Sequence, residues 1–330
     1  MLKILGIYYC NRGALLRAFI AICLIFSLYV CFSCSNSSCD VATVENSDDT
    51  LRIAFVGDVL LDRGVRKVIE RNGVDALFCD EVDSVFAAND MVIANLECPT
   101  TKIEEPVNKR FIFRAEPECL QALHEHGITH LNMANNHTMD QGRDGLSDTE
   151  LQIKKYGMVP LGFGRNIEES VHPVLLAEYP RRVYLITSLQ VPSENWMYLD
   201  GVPCVSESSI ETIVAQIDSL KTEDSNACVI VMLHWGCEHT LEPIARQVQQ
   251  ARQMIVAGAD CIIGHHSHTV QSSEVYNGKP IFYGIGNFIF DQNKRINTLS
   301  EIVTLSITKD TLCFSEHPVE IRNCVPHLVR

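Results

Sequence analysis

A chain of 330 residues with 46% hydrophobic and 21% charged residues has room for one large domain or two small ones, and its composition excludes a disordered polypeptide. The formal net charge of −14 excludes a broad surface for the nucleic-acid backbone, so no nucleic-acid partner is expected. An acidic chain still holds an anionic ligand where a metal ion or a few local arginines supply positive charge.

Lys3, Arg12 and Arg17 precede an uncharged apolar run over 18–32, shorter than the ~20 residues that a membrane-spanning helix needs. Residues 1–33 therefore read as a signal segment, and Glu45, Asp48 and Asp49 beyond it orient the remainder away from the cytoplasm. The run ends Val30-Cys31-Phe32-Ser33-Cys34, which resembles a bacterial lipoprotein signal with Cys34 as the acylated residue. The expected location is the bacterial cell envelope, lipid-anchored outside the cytoplasm, with a single uncleaved N-terminal anchor as the alternative. Residues 34–50 are rich in Ser, Asn and Asp and read as a flexible tether. Fourteen cysteines less Cys10, Cys23 and Cys31 leave eleven from Cys34 onward, none of them in a C-x-x-C pair, which disfavours a zinc ribbon or a thioredoxin motif.

From residue 51 strand-like and helix-like patterns alternate, as in a layered α/β domain over 51–330. A strand over 51–56 ends in Gly57-Asp58, a helix follows over about 62–71, and a second covers about 81–88. The strand 91–96 delivers Glu97, residues 111–115 look extended, and Pro117 opens a helix that Gly127 closes. The strand 128–134 leads to Asn135-Asn136-His137, and Ser147 with Glu150 has the spacing of a capping box at the head of a helix ending at Gly157. A hairpin over 174–189, a helix from Ser208, a strand 228–233 ending in His234, and a helix from Pro243 to Gly258 come next. The strand 261–263 precedes His265-His266-Ser267-His268, Asn277-Gly278 marks a tight hairpin, and strands over 302–307 and 311–314 follow.

Five apolar strands thus end in Asp58, Glu97, Asn136-His137, His234 and His266-x-His268. Ligands gather at the carboxyl ends of strands in open α/β sheets. On an extended segment residues i and i+2 point the same way, which aims His266 and His268 at one centre. Carboxylate, amide and imidazole donors without thiolate suit Mn, Fe or Zn, and two ions rather than one. Each residue alone also has a structural reading, the strand-end Asp as a cap and the Asn or His as a hydrogen-bonded core group.

The blocks Ile53-Ala-Phe-Val-Gly57-Asp58, Asn95-Leu-Glu97, Ala134-Asn-Asn-His137-x-x-Asp140-x-Gly142, His234-Trp-Gly236-x-Glu238, Gly264-His-His-x-His268 and Gly286-Asn-Phe-x-Phe-Asp291-Gln292 stand in this order. Over about 52–293 they resemble the CapA family of poly-γ-glutamate capsule synthesis proteins, a branch of the calcineurin-like metallophosphoesterases. The resemblance implies a four-layer αββα sandwich, two mixed sheets flanked by helices. It implies Asp58 as the first metal-binding aspartate, Glu97 as the carboxylate between two metals, and Asn136, His234, His266 and His268 as further ligands, with His137 as the catalytic histidine. One departure is visible: the superfamily's first block carries Asp-x-His, and here it is Asp58-Val59-Leu60.

The chemistry that fits is metal-assisted hydrolysis with His137 as general acid. Arg63 and Arg114 are candidates to clamp a carboxylate or phosphate, Asn287 and Gln292 to contact substrate, and Glu238 and Asp291 to orient ligand imidazoles. The expected partners are an anionic polymer or a small anionic substrate, the membrane through its lipid anchor, and a capsule-synthesis membrane complex. The alternative function is a non-catalytic accessory that binds poly-γ-glutamate for export or retention.

Overall fold

The computed structural model describes residues 49–192 and 194–329. The signal segment, Cys34 and the tether as far as residue 48 lie outside the described residues. In chain order the strands are β1 (Leu51–Val59), β2 (Met91–Leu96), β3 (His130–Asn132), β4 (Val159–Leu161), β5 (Phe163–Gly164) and β6 (Val174–Ala177). They continue with β7 (Val183–Leu189), β8 (Cys204–Val205), β9 (Cys228–His234), β10 (Cys261–His265), β11 (Ser273–Tyr276) and β12 (Lys279–Phe282). The last four are β13 (Asn287–Ile289), β14 (Leu299–Ile307), β15 (Leu312–Arg322) and β16 (Val325–Leu328).

Two mixed sheets result. The first runs β16-β15-β14-β1-β2-β3-β4 with β13 also on β1, and the second runs β11-β12-β10-β9-β7-β6. The period-2 alternation of buried strands sorts their side chains into three apolar layers. Ile53 and Phe55 of β1 pack with Ile230 and Met232 of β9 and Ile263 of β10 between the sheets. Ala54 and Val56 face the other way, toward the helices Arg63–Asn72, Asp80–Ala87, Cys119–Glu125 and Gly142–Lys155. Val229, Val231 and Leu233 of β9 turn toward the helices Ile210–Glu223 and Ala245–Ala257. Helix, sheet, sheet and helix are thus stacked as a four-layer αββα sandwich.

Two sequence expectations change. Residues 111–115 form no strand beyond a bridge from Ala115 to Thr100, because the backbone is held instead by Asp140, whose Oδ2 accepts from Phe113 N–H at 2.7 Å. The helix expected from Ser147 begins at Gly142, and Ser147 lies inside it, its hydroxyl returning to Arg143 O at 2.9 Å rather than capping an end. Cysteines at 79, 98, 119, 204, 228, 237, 261, 313 and 324 are all free thiols.

The feature that prepares the site is an irregularity at Gly57. Val56 pairs with Ala94 while Asp58 pairs with Asn95, so Gly57 is an extra residue in β1. An inserted residue reverses the side-chain alternation downstream of it. Asp58, which strict alternation would send toward the helices with Ala54 and Val56, instead meets His265 of the second sheet and His268 just beyond it. Only glycine fits this point, since a Cβ on Gly57 would stand 2.1 Å from Gly286 O, the carbonyl that accepts Asp58 N–H at 3.1 Å. Gly57→Ala is expected to destabilise the protein by about 1–3 kcal/mol through this overlap, read as a lower midpoint in chemical denaturation.

Candidate metal centre

Strand ends from both sheets converge on a buried cluster. Asp58 leaves β1, Glu97 follows β2, Asn136 and His137 follow β3, His234 ends β9 and His265 ends β10. His234 and His265 sit opposite one another in the parallel β9–β10 ladder, which puts both imidazoles at the same level of the second sheet. Beyond β10 the chain turns sharply, with φ of 84° at His266 and 53° at His268. The extended i, i+2 geometry expected for these two residues is therefore replaced by left-handed backbone, a conformation that costs a non-glycine residue about 1–3 kcal/mol where the surroundings enforce it. Both imidazoles nevertheless reach the cluster.

Two overlapping triads emerge, Asp58–Glu97–His268 and Glu97–His234–His266, each with candidate ligand atoms within 4.8 Å of one another. His268 Nδ1 lies 3.3 Å from Asp58 Oδ2 and 3.8 Å from Glu97 Oε2. His234 Nε2 lies 3.7 Å from Glu97 Oε1, 3.1 Å from His266 Nδ1 and 2.8 Å from Asn136 Oδ1. Glu97 is common to both triads.

The residues fit a cation on a physical test. Both carboxylate oxygens of Glu97 are buried and have no hydrogen-bond donor. A buried ionised carboxylate without a partner is strongly unfavourable, and a metal ion among these oxygens and imidazoles removes that cost.

The charges agree. Burial alone would raise Asp58, but hydrogen bonds from His265 and His268 outweigh it and hold its carboxyl well below the usual range. Burial pushes Glu97 well above the usual carboxylate range, with the His268 charge opposing. For His268 burial acts downward, but Glu97 and Asp58 carry it up to about 9. Burial, with the nearby His268 charge, lowers His266 to about 4, and burial with His266 holds His234 well below its ordinary value, so both are neutral imidazoles with lone pairs to offer.

His137 stands beside the triads, stacked on Phe113 with ring centroids 4.2 Å apart. Its Nδ1 faces Asp140 Oδ2 at 2.8 Å, which leaves Nε2 as the chemically available nitrogen. Burial lowers its pKa and the Asp140 contact opposes that.

The remaining expected residues divide. Arg63 stands at the rim, its side chain 37% exposed, ion-paired to Asp291 and lying over the rings of Phe113 and Phe290 at 5.5 and 5.8 Å. Phe290 in turn stacks near His268, centroids 4.9 Å apart. Asp291 is accordingly bound to Arg63 and to Gly64 N–H rather than to a ligand imidazole. The Arg114 guanidinium is taken up by Glu104, Glu116 and the Thr101 carbonyl, so the expected substrate clamp is a structural ion-pair centre. Asn287 is buried, its Oδ1 2.9 Å from His268 Nδ1 and its Nδ2 donating to Gln292 Oε1 and Asn297 O, so its amide is taken up within the protein. Glu238 is an exposed carboxylate 3.7 Å from His239 Nε2, near the cluster without a bond to a ligand.

Several participants carried no separate sequence signal. His265 Nδ1 lies 3.2 Å from Asp58 Oδ1. Asn95 Nδ2 donates to Asp58 Oδ1 at 2.8 Å and lies 3.2 Å from His234 Nδ1, tying a residue of each triad to one amide. Asn132 in turn donates to Asn95 Oδ1 at 2.9 Å. The Asn95-x-Glu97 and His265-His266 adjacencies were the available clues.

The profile of the family described as bacterial capsule synthesis protein PGA_cap matches residues 52–292. The PGA biosynthesis protein CapA of Bacillus subtilis (strain 168) is 33% identical, covering 95% of this chain and 83% of that protein. The capsule biosynthesis protein CapA of Bacillus anthracis is 32% identical, covering 76% of this chain and 63% of its own length, so the chain spans a little under two thirds of that relative. A probable polyglutamine synthesis accessory protein of Mycobacterium tuberculosis (strain ATCC 25618 / H37Rv) is 28% identical over 62% of this chain and 56% of that one.

The His268–Glu97 pair holds at least one proton at neutral pH, which an incoming ion must displace. Metal binding is expected to release protons and to tighten as pH rises through about 9, where His268 loses its proton. Isothermal titration of the metal-free protein in buffers of different ionisation enthalpy measures this, and an affinity independent of pH would remove His268 and Glu97 from the ligand set.

Proposed function

Because the chain belongs to the bacterial capsule synthesis protein family PGA_cap, we propose that it is a metal-dependent hydrolase acting in the synthesis of the poly-γ-glutamate capsule. It works outside the cytoplasm, attached to the membrane through Cys34, within a capsule-synthesis membrane complex. The observation that carries the reading is the pair of triads sharing Glu97, with its two buried and unpartnered oxygens.

Two divalent transition ions (Mn, Fe or Zn) suit these nitrogen and oxygen donors. Asp58, Glu97 and His268 would hold one, and Glu97, His234 and His266 with Asn136 the other. Bound there, the ions supply Lewis acidity toward the substrate oxygen and acidify water. The protein's own groups do the rest. His137, held through Nδ1 by Asp140, gives a proton to the leaving group from Nε2. Arg63, at the rim between two aromatic rings, receives a carboxylate of the anionic polymer. The aromatic faces and Asp291 fix its orientation, so little side-chain freedom is lost on binding.

A second reading is favoured by Leu60, a buried aliphatic residue in the place of the histidine of an Asp-x-His block. On that reading the protein is a non-catalytic accessory that binds poly-γ-glutamate for export or retention. The two separate cleanly. Elemental analysis of the purified chain is expected to give about two ions per protein, and His137→Ala to keep them while hydrolysis falls by roughly 10²–10⁴-fold. Polymer that binds in an Asp58-dependent way, with no product detectable by mass spectrometry, would favour the accessory instead.

A further inference from the structure

Between Glu97 and the helix Cys119–Glu125 the chain crosses the site without regular structure. It carries a buried ammonium group there. The Lys109 side chain is 2% exposed, and its Nζ lies 2.8 Å from Oδ1 of the fully buried Asp140. The same Nζ donates to the Asn136 carbonyl at 2.9 Å and stands 3.4 Å from His137 Nδ1. Asp140 Oδ2 faces His137 Nδ1 and accepts the Phe113 N–H. The segment is pinned on either side of Lys109, by Val107 N–H to Asp140 O at 3.1 Å and by Gln141 Nε2 to Phe113 O at 3.1 Å.

A lysine ammonium has three donors and is strongly hydrated, so its burial requires partners that replace water. Here those partners are the carboxylate that orients His137 and the backbone carbonyl of Asn136, whose side chain faces His234. One cation therefore touches both the residue that aims the imidazole and the peptide that carries the amide at the metal cluster. Held by the Asp140 carboxylate and the Asn136 carbonyl and with almost no exposure, it is not a group that reaches for substrate.

We propose that Lys109 is a positioning residue that locks Asp140 and the Asn136–His137 peptide together, so that His137 keeps its Nδ1 proton on Asp140 and presents Nε2 to the site. The substrate-facing role of His137 rests on the hydrolase reading above; the locking itself does not.

The test is nuclear magnetic resonance on the full chain without metal, where a buried imidazole N–H on a carboxylate gives a slowly exchanging downfield signal. The His137 signal is identified by its loss in His137→Gln. In Lys109→Met it is expected to vanish into solvent exchange, and zinc affinity to fall about 10–100-fold, as it does when outer partners of a metal site are removed. Persistence of the signal in Lys109→Met overturns the proposal. Should that variant fail to fold, the parent protein decides: cross-relaxation between the Lys109 ammonium and the His137 Nδ1 proton supports the lock, and its absence overturns it. Lack of hydrolysis in any assay would defeat the hydrolase reading and leave this result standing.

Discussion

The structure depends on a carboxylate that has no partner of its own. Glu97 is fully buried, both oxygens lack donors, and the positive charge nearest to it is the His268 imidazole. A buried polar group left unpaired calls for a physical reason, and a bound ion is one. Around Glu97 the protein supplies neutral imidazoles on one side and an ionised carboxylate on the other, the donor set of a divalent cation.

Placing those donors is a matter of how two sheets are packed. The carboxylates come from the first sheet, and His234, His265, His266 and His268 from the second or from the turn beyond it. The apolar layer of Ile53, Phe55, Ile230, Met232 and Ile263 that joins the sheets therefore also sets the distance between unlike ligands. Two local departures from regular geometry complete the arrangement. The extra residue at Gly57 turns Asp58 across the sheet interface, and left-handed backbone at His266 and His268 folds two imidazoles back over the strand ends. Behind them lies a network of amides centred on Asn95, which bonds at once to Asp58 and to Asn132.

Much of this was legible in the sequence. The apolar runs gave β1, β2, β9 and β10, and the polar residue ending each run fell in the cluster, because strand ends are where an open sheet leaves room for a ligand. What was not legible depended on register. Nothing in Val56-Gly57-Asp58 announces that the ladder skips a residue there, and a period-2 reading sends Asp58 to the wrong face. His265 was passed over because the alternation argument selected 266 and 268, whereas the chain leaves the strand only after 265. Arg114 looked like an anion clamp as well as Arg63 did; both are ion-paired, Arg63 to Asp291 alone and Arg114 to Glu104 and Glu116, and Arg63 is the more exposed of the two. Lys109 lies in a stretch with no periodicity, where composition says nothing of burial.

The strand order carries one more implication. β1 is flanked by β2, made soon after it, and by β13 and β14, which lie near the end of the chain. During synthesis, then, the carboxylates at 58 and 97 emerge long before the imidazoles at 234–268, and the central strand keeps a raw edge until the final strands arrive. Such distant pairing makes for slow folding. A nascent chain released or cut before β13 would hold every metal-ligand candidate in its covalent sequence and yet lack the strand that pairs with Asp58.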